Sequence, residues 1–442
     1  MKTTQQIGLF ERHADPALRF LYGLEKHGIK PGLGRINKIV SLLGGPQKSF
    51  PVVHVAGTNG KGSTSAIIAS ILQEAGLRTG LYTSPHLEKF NERIRVSGKM
   101  ITGPELIRAV KAVRSAARKM AGSSPLTFFE FTTAMAFLHF REKKVDMAVI
   151  ETGMGGRFDA TNVVTPEVSV ITNIGMDHTR FLGKSLEDIA FEKAGIIKPG
   201  TPVVTGEGRK GPLSVIRKTA KRLSAPLHVI DKDFSATGGP RSFAYDGVNS
   251  RLVSLKLGLL GPHQVRNAAC ALAAIEVLRG KGFEIPAKAA REGLKKAAWP
   301  GRFEIISRRP LVVLDGAHNP AGARTLALAL EGLGKKPVLV LGVMADKDMD
   351  GILREILPSC GTVIATSPRN ERSENAFALA EKIKRLGKDA VARESVKEAV
   401  KEAVLRAGTH GAVCVTGSLF TVGEARGYLR RAVLLKRYIL FI

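Results

Sequence analysis

A glycine-rich segment with a single lysine, GTNGKGS at residues 57–63, is the part of the sequence most suited to chemistry. Its glycines let backbone N–H groups approach phosphate oxygens, and Lys61 can reach the β- and γ-phosphates of a nucleoside triphosphate. Gly62 comes directly after the lysine, so the hydroxyls that can face Mg²⁺ are those of Ser63 and Thr64. A glycine turn without a ligand is the alternative, but a β-rich run before the segment and helical spacing after it favour phosphate binding. The predicted triphosphate-binding residues are Gly57, Thr58, Asn59, Gly60, Lys61, Gly62 and Ser63.

Acidic and imidazole side chains follow two further apolar stretches. Glu151 ends the stretch 145–151, and Asp177 and His178 follow the stretch 168–174. In open α/β sheets, side chains at the carboxyl ends of strands line the ligand crevice, so Glu151 and His178 can share a cation near the triphosphate. A capped loop residue is an equally good interpretation of either one alone. Mg²⁺ prefers oxygen ligands, so a histidine ligand indicates two metal ions rather than one.

Three other charged positions are candidates for the site. Lys193 is interpreted either as a phosphate contact or as a surface lysine, and the residues alone leave both open. Arg302 can clamp phosphate as two domains close, with an interdomain salt bridge as the alternative. Asp315 directly follows an apolar stretch and precedes a helix, so we expect it at the carboxyl end of a strand.

Alternating strands and helices must position these residues. Apolar β-rich stretches predict strands at 51–56, 79–83, 145–151, 168–174, 202–205, 311–314, 337–341, 362–366, 391–393 and 412–416. Helical spacing predicts helices at 63–75, 104–120, 131–142, 185–194, 265–278, 287–297 and 428–442. The last of these is expected to dock on its own domain rather than lie on a membrane surface.

This alternation predicts an α/β fold, because strands that alternate with helices form parallel sheets with helices on both faces. The breaker cluster Trp299-Pro300-Gly301 lies close to a plausible domain boundary. We therefore predict an N-terminal P-loop domain at 1–297 and a smaller Rossmann-like α/β domain at 298–442.

Composition narrows the classes of function. The 442 residues include 67 Lys and Arg against 39 Asp and Glu, and the net charge of +28 would suit a polyanion such as nucleic acid. These cations are scattered over helix faces without interleaved aromatic residues, so we interpret them as a solvated surface and expect no nucleic-acid partner. The sequence has no charged leader and no apolar run of membrane-spanning length, which predicts a cytoplasmic protein without a membrane partner. Three widely spaced cysteines predict buried thiols.

Several segments together resemble the folylpolyglutamate synthases, many bacterial members of which are also dihydrofolate synthases. In chain order they are GTNGKGS, TSPHL at 83–87, ETGMGGRFDATN at 151–162, MDH at 176–178, EKAGIIK at 192–198, WPGRFE at 299–304, DGAHNP at 315–320 and VTGSLF at 415–420. The resemblance covers most of the chain. Gly62 favours this family over the related cell-wall Mur ligases, which usually carry Ser or Thr directly after the loop lysine.

The resemblance implies an ADP-forming ligase. A substrate carboxylate attacks the γ-phosphate of ATP, and the amine of L-glutamate attacks the resulting acyl phosphate to form an amide. Further ATP contacts are implied for Asn267, Arg302 and Asp315, and glutamate contacts for His318 and Ser418. The implied Mg²⁺ ligands are Ser84, Glu151, His178 and Lys193, together with the loop hydroxyl of Ser63. Lys193 corresponds to a lysine that family members carbamylate, which would make it an anionic oxygen ligand. The predicted catalytic residues are Lys61, His178, Lys193 and Arg302.

Two segments match those that hold dihydropteroate in bifunctional members: Thr127, Phe128, Phe129 and Glu130, and then Phe158, Asp159 and Ala160. A pterin is flat with polar edges, so aromatic faces and carboxylates suit it, although Phe128 and Phe129 can also be core residues. The resemblance thus implies both activities, in a monomer that takes folate or dihydropteroate, L-glutamate and ATP. One alternative is another Mur-superfamily ligase acting on a cell-wall precursor. A basic nucleic-acid-binding ATPase is a second, which the lack of a basic stripe argues against.

Overall fold

A computed structural model describes residues 16–120 and 124–439 of the chain. These residues form two compact units. The first contains 16–86, 90–120 and 124–298, and the second contains 87–89 and 299–439. Within the described ranges, no helix is both long enough and apolar enough to cross a membrane.

Eight strands form the main sheet of the first unit: β1 Val52–Ala56, β2 Thr79–Tyr82, β3 Ile94–Val96, β4 Lys99–Met100, β5 Met147–Glu151, β6 Val168–Ile171, β7 Val203–Thr205 and β8 Leu227–Val229. Their order is β4-β3-β2-β5-β1-β6-β7-β8. All are parallel except β3 and β4, which form an antiparallel edge. Every residue of β1, β5 and β6 is buried, as expected for central strands covered on both faces. Because parallel strands end at one edge, the residues that follow these strands lie near one another.

Ten α-helices lie in the described residues of this unit: α1 Pro16–Gly23, α2 Gly34–Leu42, α3 Lys61–Glu74, α4 Gly103–Arg118, α5 Phe128–Glu142, α6 Thr179–Leu182, α7 Leu186–Ala194, α8 Lys210–Arg222, α9 His263–Gly280 and α10 Ala287–Lys296. Capping boxes begin α4, α5 and α7, where each cap side chain and the acidic residue three positions later satisfy each other's backbone N–H groups. Side chains of α1, α2, α4 and α5 share one apolar core with β1, β2 and β5.

A small antiparallel sheet lies beside α9 and consists of β9 Ser235–Gly239, β10 Ser242–Asp246 and β11 Arg251–Leu255. The Tyr245 hydroxyl donates to Glu276 Oε2 at 2.9 Å, and the Val248 N–H donates to the same oxygen at 2.8 Å. These bonds satisfy the buried carboxylate of Glu276 and fix the small sheet to α9.

The second unit has its own six-stranded sheet: β12 Glu304–Arg308, β13 Leu311–Leu314, β14 Val338–Leu341, β15 Val363–Thr366, β16 Ala390–Arg393 and β17 Ala412–Thr416. The order is β12-β13-β17-β14-β15-β16, parallel throughout except for β12. Its helices are α11 Pro320–Glu331, α12 Met349–Ile356, α13 Ala376–Arg385, α14 Val396–Ala407 and α15 Leu419–Ile439. Here too the loops that follow the parallel strands share one edge.

The predicted α/β fold is confirmed, but the sheets have antiparallel edges that the sequence did not predict. The strands missed are β3, β4, β8 to β12, which are short or partly polar; both residues of β4 are exposed. The final helix was predicted to begin at residue 428 and instead begins at Leu419. Gly423 weakens the local helical pattern, yet a Cβ there would lie 2.2 Å from Leu87 O, so close packing requires the glycine. Residues 440–442 of that prediction lie outside the described residues.

Candidate active site

The loop after β1 is held by the segment that follows its neighbour β6. The Thr58 N–H donates to Asn173 O at 2.8 Å, and the Asn59 N–H donates to Asn173 Oδ1 at 2.9 Å. The Thr172 hydroxyl donates to Asn59 O at 2.7 Å. Sequence reasoning missed Thr172 and Asn173, although polar residues directly after a buried strand are a signal for such a role.

Close approaches require Gly57 and Gly60. Gly57 has a φ of +145°, and a Cβ there would lie 1.9 Å from Thr172 Oγ1. Gly60 has a φ of +83° immediately before α3, and its Cβ would lie 2.4 Å from Asn267 Oδ1. The loop therefore presents bare backbone at the start of a helix, which is the arrangement that binds phosphate. The same contact places Asn267, a predicted ATP residue, beside the loop.

Two lysines converge on one carbonyl oxygen of this loop. Lys61 Nζ donates to Gly57 O at 3.0 Å and to Thr58 O at 3.1 Å. Lys193 Nζ, from the last turn of α7, donates to Gly57 O at 2.8 Å. Lys193 is only 4% exposed, so it is not a surface lysine. Burial, and next the positive charge of Lys61, lower the pKa of Lys193 to about 7, so its amine is partly neutral near neutral pH.

Oxygen donors lie at the ends of β2 and β5. The Ser84 backbone N–H donates to Glu151 Oε2 at 3.1 Å. The hydroxyls of Thr152, which follows Glu151, and of Thr64, in the first turn of α3, are buried without a hydrogen-bond partner among the described residues. Ser63 in the same turn is also buried. Carboxylate and hydroxyl oxygens are the types of ligand that Mg²⁺ prefers.

His178 lies at the start of the short helix α6. Its backbone is in the left-handed region, with a φ of +50°, and its Nε2 lies 4.0 Å from Asp177 Oδ2. Across the described ranges, no group of three or more His, Cys, Asp or Glu side chains is arranged to hold a metal. A cation shared by Glu151 and His178 therefore stays a prediction.

Thr127 and Glu130 form the capping box of α5. Glu130 Oε2 accepts from the Thr127 N–H at 2.8 Å and from the Thr127 hydroxyl at 2.9 Å. Arg35 Nε lies 3.0 Å from the other carboxylate oxygen, Oε1. The sequence matched these residues to a dihydropteroate segment but missed their helix-capping role and missed Arg35. Glu130 thus has a structural function in addition to the predicted ligand contact.

Phe128 and Phe129 are each half-buried against a tyrosine. Phe128 lies nearly parallel to Tyr22, with ring centroids 6.1 Å apart at 11°, and Phe129 stacks on Tyr82 at 6.0 Å. Packing therefore fixes both rings while part of each stays exposed. This arrangement is compatible with both interpretations of these residues, as core and as a face for a flat ligand.

A buried chain of hydrogen bonds joins Asp159 to β1. Asp159 Oδ1 accepts from the Thr161 hydroxyl at 2.5 Å, and Thr161 Oγ1 lies 2.8 Å from His54 Nε2. Because the Thr161 proton points to Asp159, the His54 Nε2 must carry a proton and donate. Burial raises the pKa of Asp159 and lowers the pKa of His54 to about 3. Sequence reasoning did not identify His54, which lies in an apolar strand.

The neighbours of Asp159 differ in exposure. Ala160 is buried, whereas Phe158 is 45% exposed. The Arg157 guanidinium lies 4.3 Å from the Phe158 ring centroid and forms an ion pair with Glu192 at 2.6 Å. The second predicted folate segment therefore combines an exposed aromatic ring with a buried carboxylate.

A buried pair beside the first folate segment was also missed. Arg93 Nε donates to His86 Nδ1 at 2.8 Å, and the Arg93 guanidinium lies 5.2 Å from the Phe128 ring centroid. Burial lowers the pKa of both groups, so His86 is neutral and accepts through Nδ1. His86 lies within TSPHL, whereas nothing in the sequence indicated Arg93.

In the second unit, Asp315 follows β13 as predicted, and its side chain accepts hydrogen bonds from two backbone N–H groups. Its carboxylate accepts from the Phe303 N–H at 2.8 Å and the Ala317 N–H at 2.9 Å. Arg302 Nη1 donates to Gly316 O at 3.2 Å, and His318 Nδ1 lies 2.8 Å from the same oxygen. Arg302 therefore contacts the loop that carries Asp315 and His318, and the ligand contacts of these three residues stay predictions.

Ser418 is buried at the start of α15. Its Oγ accepts from the Thr421 N–H at 3.1 Å and lies 2.8 Å from Thr421 Oγ1. The Thr421 hydroxyl donates to Gly342 O at 2.9 Å, so the Ser418 hydroxyl donates to Thr421. Ser418 thus links the ends of β17 and β14, and its predicted glutamate contact would add to this role.

Two family models match the chain. The Mur ligase middle domain matches residues 55–275, and the Mur ligase glutamate ligase domain matches residues 301–419. A Bacillus subtilis dihydrofolate synthase/folylpolyglutamate synthase is 38% identical, with 96% of this chain and 100% of that protein covered. Among solved structures, Escherichia coli FolC in complex with DHPP and ADP has a TM-score of 0.87 and 34% identity, covering 95% of this chain and 99% of that one.

A third relative was solved with a metal. The bifunctional folylpolyglutamate synthase/dihydrofolate synthase of Yersinia pestis, complexed with AMPPNP and a Mn ion, has a TM-score of 0.84 and 33% identity over 94% of this chain and 98% of that one. The phosphate loop and the two converging lysines are consistent with the family that these similarities indicate. The chain belongs to the dihydrofolate synthase/folylpolyglutamate synthase family of Mur ligases.

Proposed function

We propose that this protein is an ATP-dependent, ADP-forming ligase that adds L-glutamate to folates and also to dihydropteroate. Convergence of Lys61 and Lys193 on the carbonyl of Gly57 is the observation that carries the proposal. This convergence supports nucleotide binding, because two lysine side chains lie beside a glycine-rich loop at the start of a helix. Family membership supplies the reaction type, in which a carboxylate rather than water accepts the phosphoryl group.

The reaction has two steps. A carboxylate oxygen of the folate substrate attacks the γ-phosphorus, its bond to the β-phosphate oxygen breaks, and ADP leaves. The amine of L-glutamate then attacks the acyl phosphate, inorganic phosphate leaves, and a proton is lost from nitrogen. Loop N–H groups and Lys61 hold the phosphates during the first step and neutralise the charge that develops on them. Mg²⁺, when bound, would supply positive charge that stabilises the transferred phosphoryl group.

Ser63, Ser84, Glu151, His178 and Lys193 are the proposed ligands for two Mg²⁺ ions. A lysine ammonium cannot ligate a cation, so Lys193 would act after carbamylation. Its neutral amine attacks CO₂, a C–N bond forms, and one proton is released. Burial of Lys193 and the nearby charge of Lys61 favour this step, because both favour the neutral amine. The carbamate would place a negative charge beside Lys61.

The dihydropteroate activity is proposed from the two folate segments. Phe128, Phe129 and Phe158 offer partly exposed rings, and Asp159 offers a carboxyl group whose pKa is raised by burial. Its oxygens can accept from N–H groups at the polar edge of a pterin. The same surface would accept a folate, which carries the same ring.

Other parts of the proposal concern the protein as a whole. We propose a cytoplasmic monomer with an ATP-binding domain at 1–297 and a glutamate ligase domain at 298–442, whose partners are small molecules rather than nucleic acid. Three buried free thiols suit a reducing compartment. Many of the basic side chains form ion pairs with nearby acids, such as Arg406 with Glu402 at 2.7 Å, which suits a solvated surface.

An ADP-release assay tests the proposed function. Dihydropteroate and tetrahydrofolate are compared, each with and without L-glutamate, at fixed ATP and Mg²⁺. The expected result is ADP release that requires both partners with either pterin substrate. ADP release only with tetrahydrofolate would exclude the proposed dihydrofolate synthase activity. Release with neither, but with a cell-wall nucleotide precursor and an amino acid, would favour the other Mur ligases.

A further inference from the structure

Three polar atoms in the second unit have no role in the function proposed above. They are Thr366 Oγ1, at the end of β15, and Asn370 Nδ2 and Arg372 Nε, in the loop that follows. Each is buried, and none has a hydrogen-bond partner in the part of the chain that the structure describes. Unpaired buried donors are costly, and three within one short segment point to a binding site.

Hydrogen bonds hold the loop that carries these atoms. The Ala345 N–H donates to Arg372 O at 2.8 Å, and the Glu374 N–H donates to Val343 O at 2.9 Å, which ties the loop to the segment after β14. Asn370 Oδ1 accepts from the Arg372 N–H at 2.9 Å. This bond decides the orientation of the Asn370 amide, because its oxygen is engaged and its NH₂ group is the free end.

The loop lies at the same sheet edge as the predicted glutamate residues. A Cβ on Gly342, after β14, would lie 3.0 Å from Thr366 O, and Gly342 O accepts from the Thr421 hydroxyl beside Ser418. The Gly417 N–H donates to Ala317 O at 3.1 Å, next to His318. The loops after four parallel strands of this sheet thus meet, and ligands of open α/β sheets bind at such carboxyl ends.

The available groups suit a carboxylate. An amide NH₂ and a guanidinium N–H are both donors, and a guanidinium pairs with a carboxylate through two parallel hydrogen bonds. Arg372 Nη1 lies 3.6 Å from Asp346 Oδ1, too far for a hydrogen bond, and both side chains are more than 40% exposed. That pair contributes little, so the guanidinium remains available to a stronger acceptor.

We propose that Asn370 and Arg372 bind a carboxylate of the incoming L-glutamate. This inference rests on the proposed glutamate ligation and adds the residues that recognise its substrate. An ATP phosphate offers similar acceptor oxygens, and the test separates the two.

Steady-state ADP release by the full chain measures KM separately for L-glutamate, ATP and tetrahydrofolate. Arg372→Met removes the guanidinium, and Asn370→Asp keeps the shape while placing a carboxylate against the ligand. Each is expected to raise KM for L-glutamate by about tenfold to a hundredfold, with the other two KM values within about twofold of wild type. Arg372→Lys, which keeps the charge without the fork, should lie between wild type and Arg372→Met. Arg369→Met, an exposed arginine on the same loop, is the matched control and should behave as wild type.

An unchanged KM for L-glutamate in Asn370→Asp, with the circular dichroism of a folded protein, would overturn the proposal. So would a rise in KM for ATP equal to that for L-glutamate, which would assign these donors to phosphate. Failure of the proposed function would be distinguishable from these outcomes, because the wild-type protein would then show no glutamate-dependent ADP release.

Discussion

The Nζ atoms of Lys61 and Lys193 donate to the same carbonyl oxygen, that of Gly57, at 3.0 and 2.8 Å. Burial, and next the repulsion between these two cations, lower the pKa of Lys193 to about 7. The Lys193 amine is therefore partly neutral near neutral pH, as a reaction of that amine requires. Conversion to a carbamate would replace the repulsion by attraction.

Replacing Lys193 tests this role. Lys193→Ala is expected to lower kcat by about a hundredfold or more, because the proposed anionic group beside the phosphates would be lost. Added acetate or formate should restore part of the activity by supplying a carboxylate. The exposed Lys218→Ala is the control and should match wild type with and without acetate. Full activity of Lys193→Ala without any added acid would contradict the role.

Glycine substitutions test the phosphate loop. Gly60→Ala and Gly76→Ala both place a methyl group at a left-handed φ, +83° and +87°, but only at Gly60 would it meet another atom, Asn267 Oδ1 at 2.4 Å. Gly76→Ala is expected to cost about 1 kcal/mol of unfolding free energy through backbone strain alone. Gly60→Ala should cost about 2–3 kcal/mol and raise KM for ATP about tenfold, since loop and Asn267 must shift. Urea denaturation and ADP release measure both. Equal changes in the free energy of unfolding and in KM for ATP in the two variants would be inconsistent with this account.

The capping boxes of α4 and α5 allow a structural role to be distinguished from ligand binding. Glu105 and Glu130 occupy the same position in α4 and α5 and each has a cationic partner, Lys143 and Arg35 respectively. Glu105→Gln and Glu130→Gln are each expected to lower the free energy of unfolding by about 0.5–2 kcal/mol. Only Glu130→Gln should raise KM for dihydropteroate, by about tenfold, because only Glu130 lies in a predicted folate segment. Similar KM values for both variants would make Glu130 purely structural.

His54 makes stability depend on pH. Its pKa falls from 6.5 to about 3 on folding because burial disfavours the charged ring. Between these values the unfolded chain binds a proton that the folded protein does not, so stability rises with pH and is lost as pH falls below 6.5. The full effect is on the order of a few kcal/mol.

Urea denaturation at pH values of about 7.5 and about 5 measures this contribution. His54→Gln keeps an N–H donor for Thr161 but cannot titrate, so its free energy of unfolding should fall less between the two pH values than that of wild type. His228→Gln, at a half-exposed position on β8, is the control and should follow wild type. Equal losses in wild type and His54→Gln would show that His54 does not contribute.

Much of the site could be predicted because its signals are local. A strand, a glycine-rich turn and a helix start within residues 52–63 suffice to expose backbone N–H groups, so the phosphate loop was readable from the sequence. Positions directly after strands, such as Asp315, were readable for the same reason. The Thr127 to Glu130 capping box is also local, yet its match to a ligand segment concealed it.

Contacts between distant residues could not be predicted. Lys193 and Gly57 are 136 positions apart, and whether Lys193 is a surface lysine or a buried amine depends on how α7 packs beneath the loop. Arg35, His54 and Arg93 were missed because each acquires its partner only through packing. Asn370 Nδ2 and Arg372 Nε belong to the same class, because only the folded surroundings decide whether an atom is buried without a partner.

By itself the sequence determined the fold class, the phosphate loop and the family, because these follow from short-range patterns and from motifs in a given order. Only the tertiary structure decided which side chains donate to the same atom, which carboxylates already accept hydrogen bonds and which donors are left unpaired. The physical reason is range: hydrogen bonds and shifts in pKa act over a few ångströms, and packing alone brings residues from distant parts of the chain within that distance.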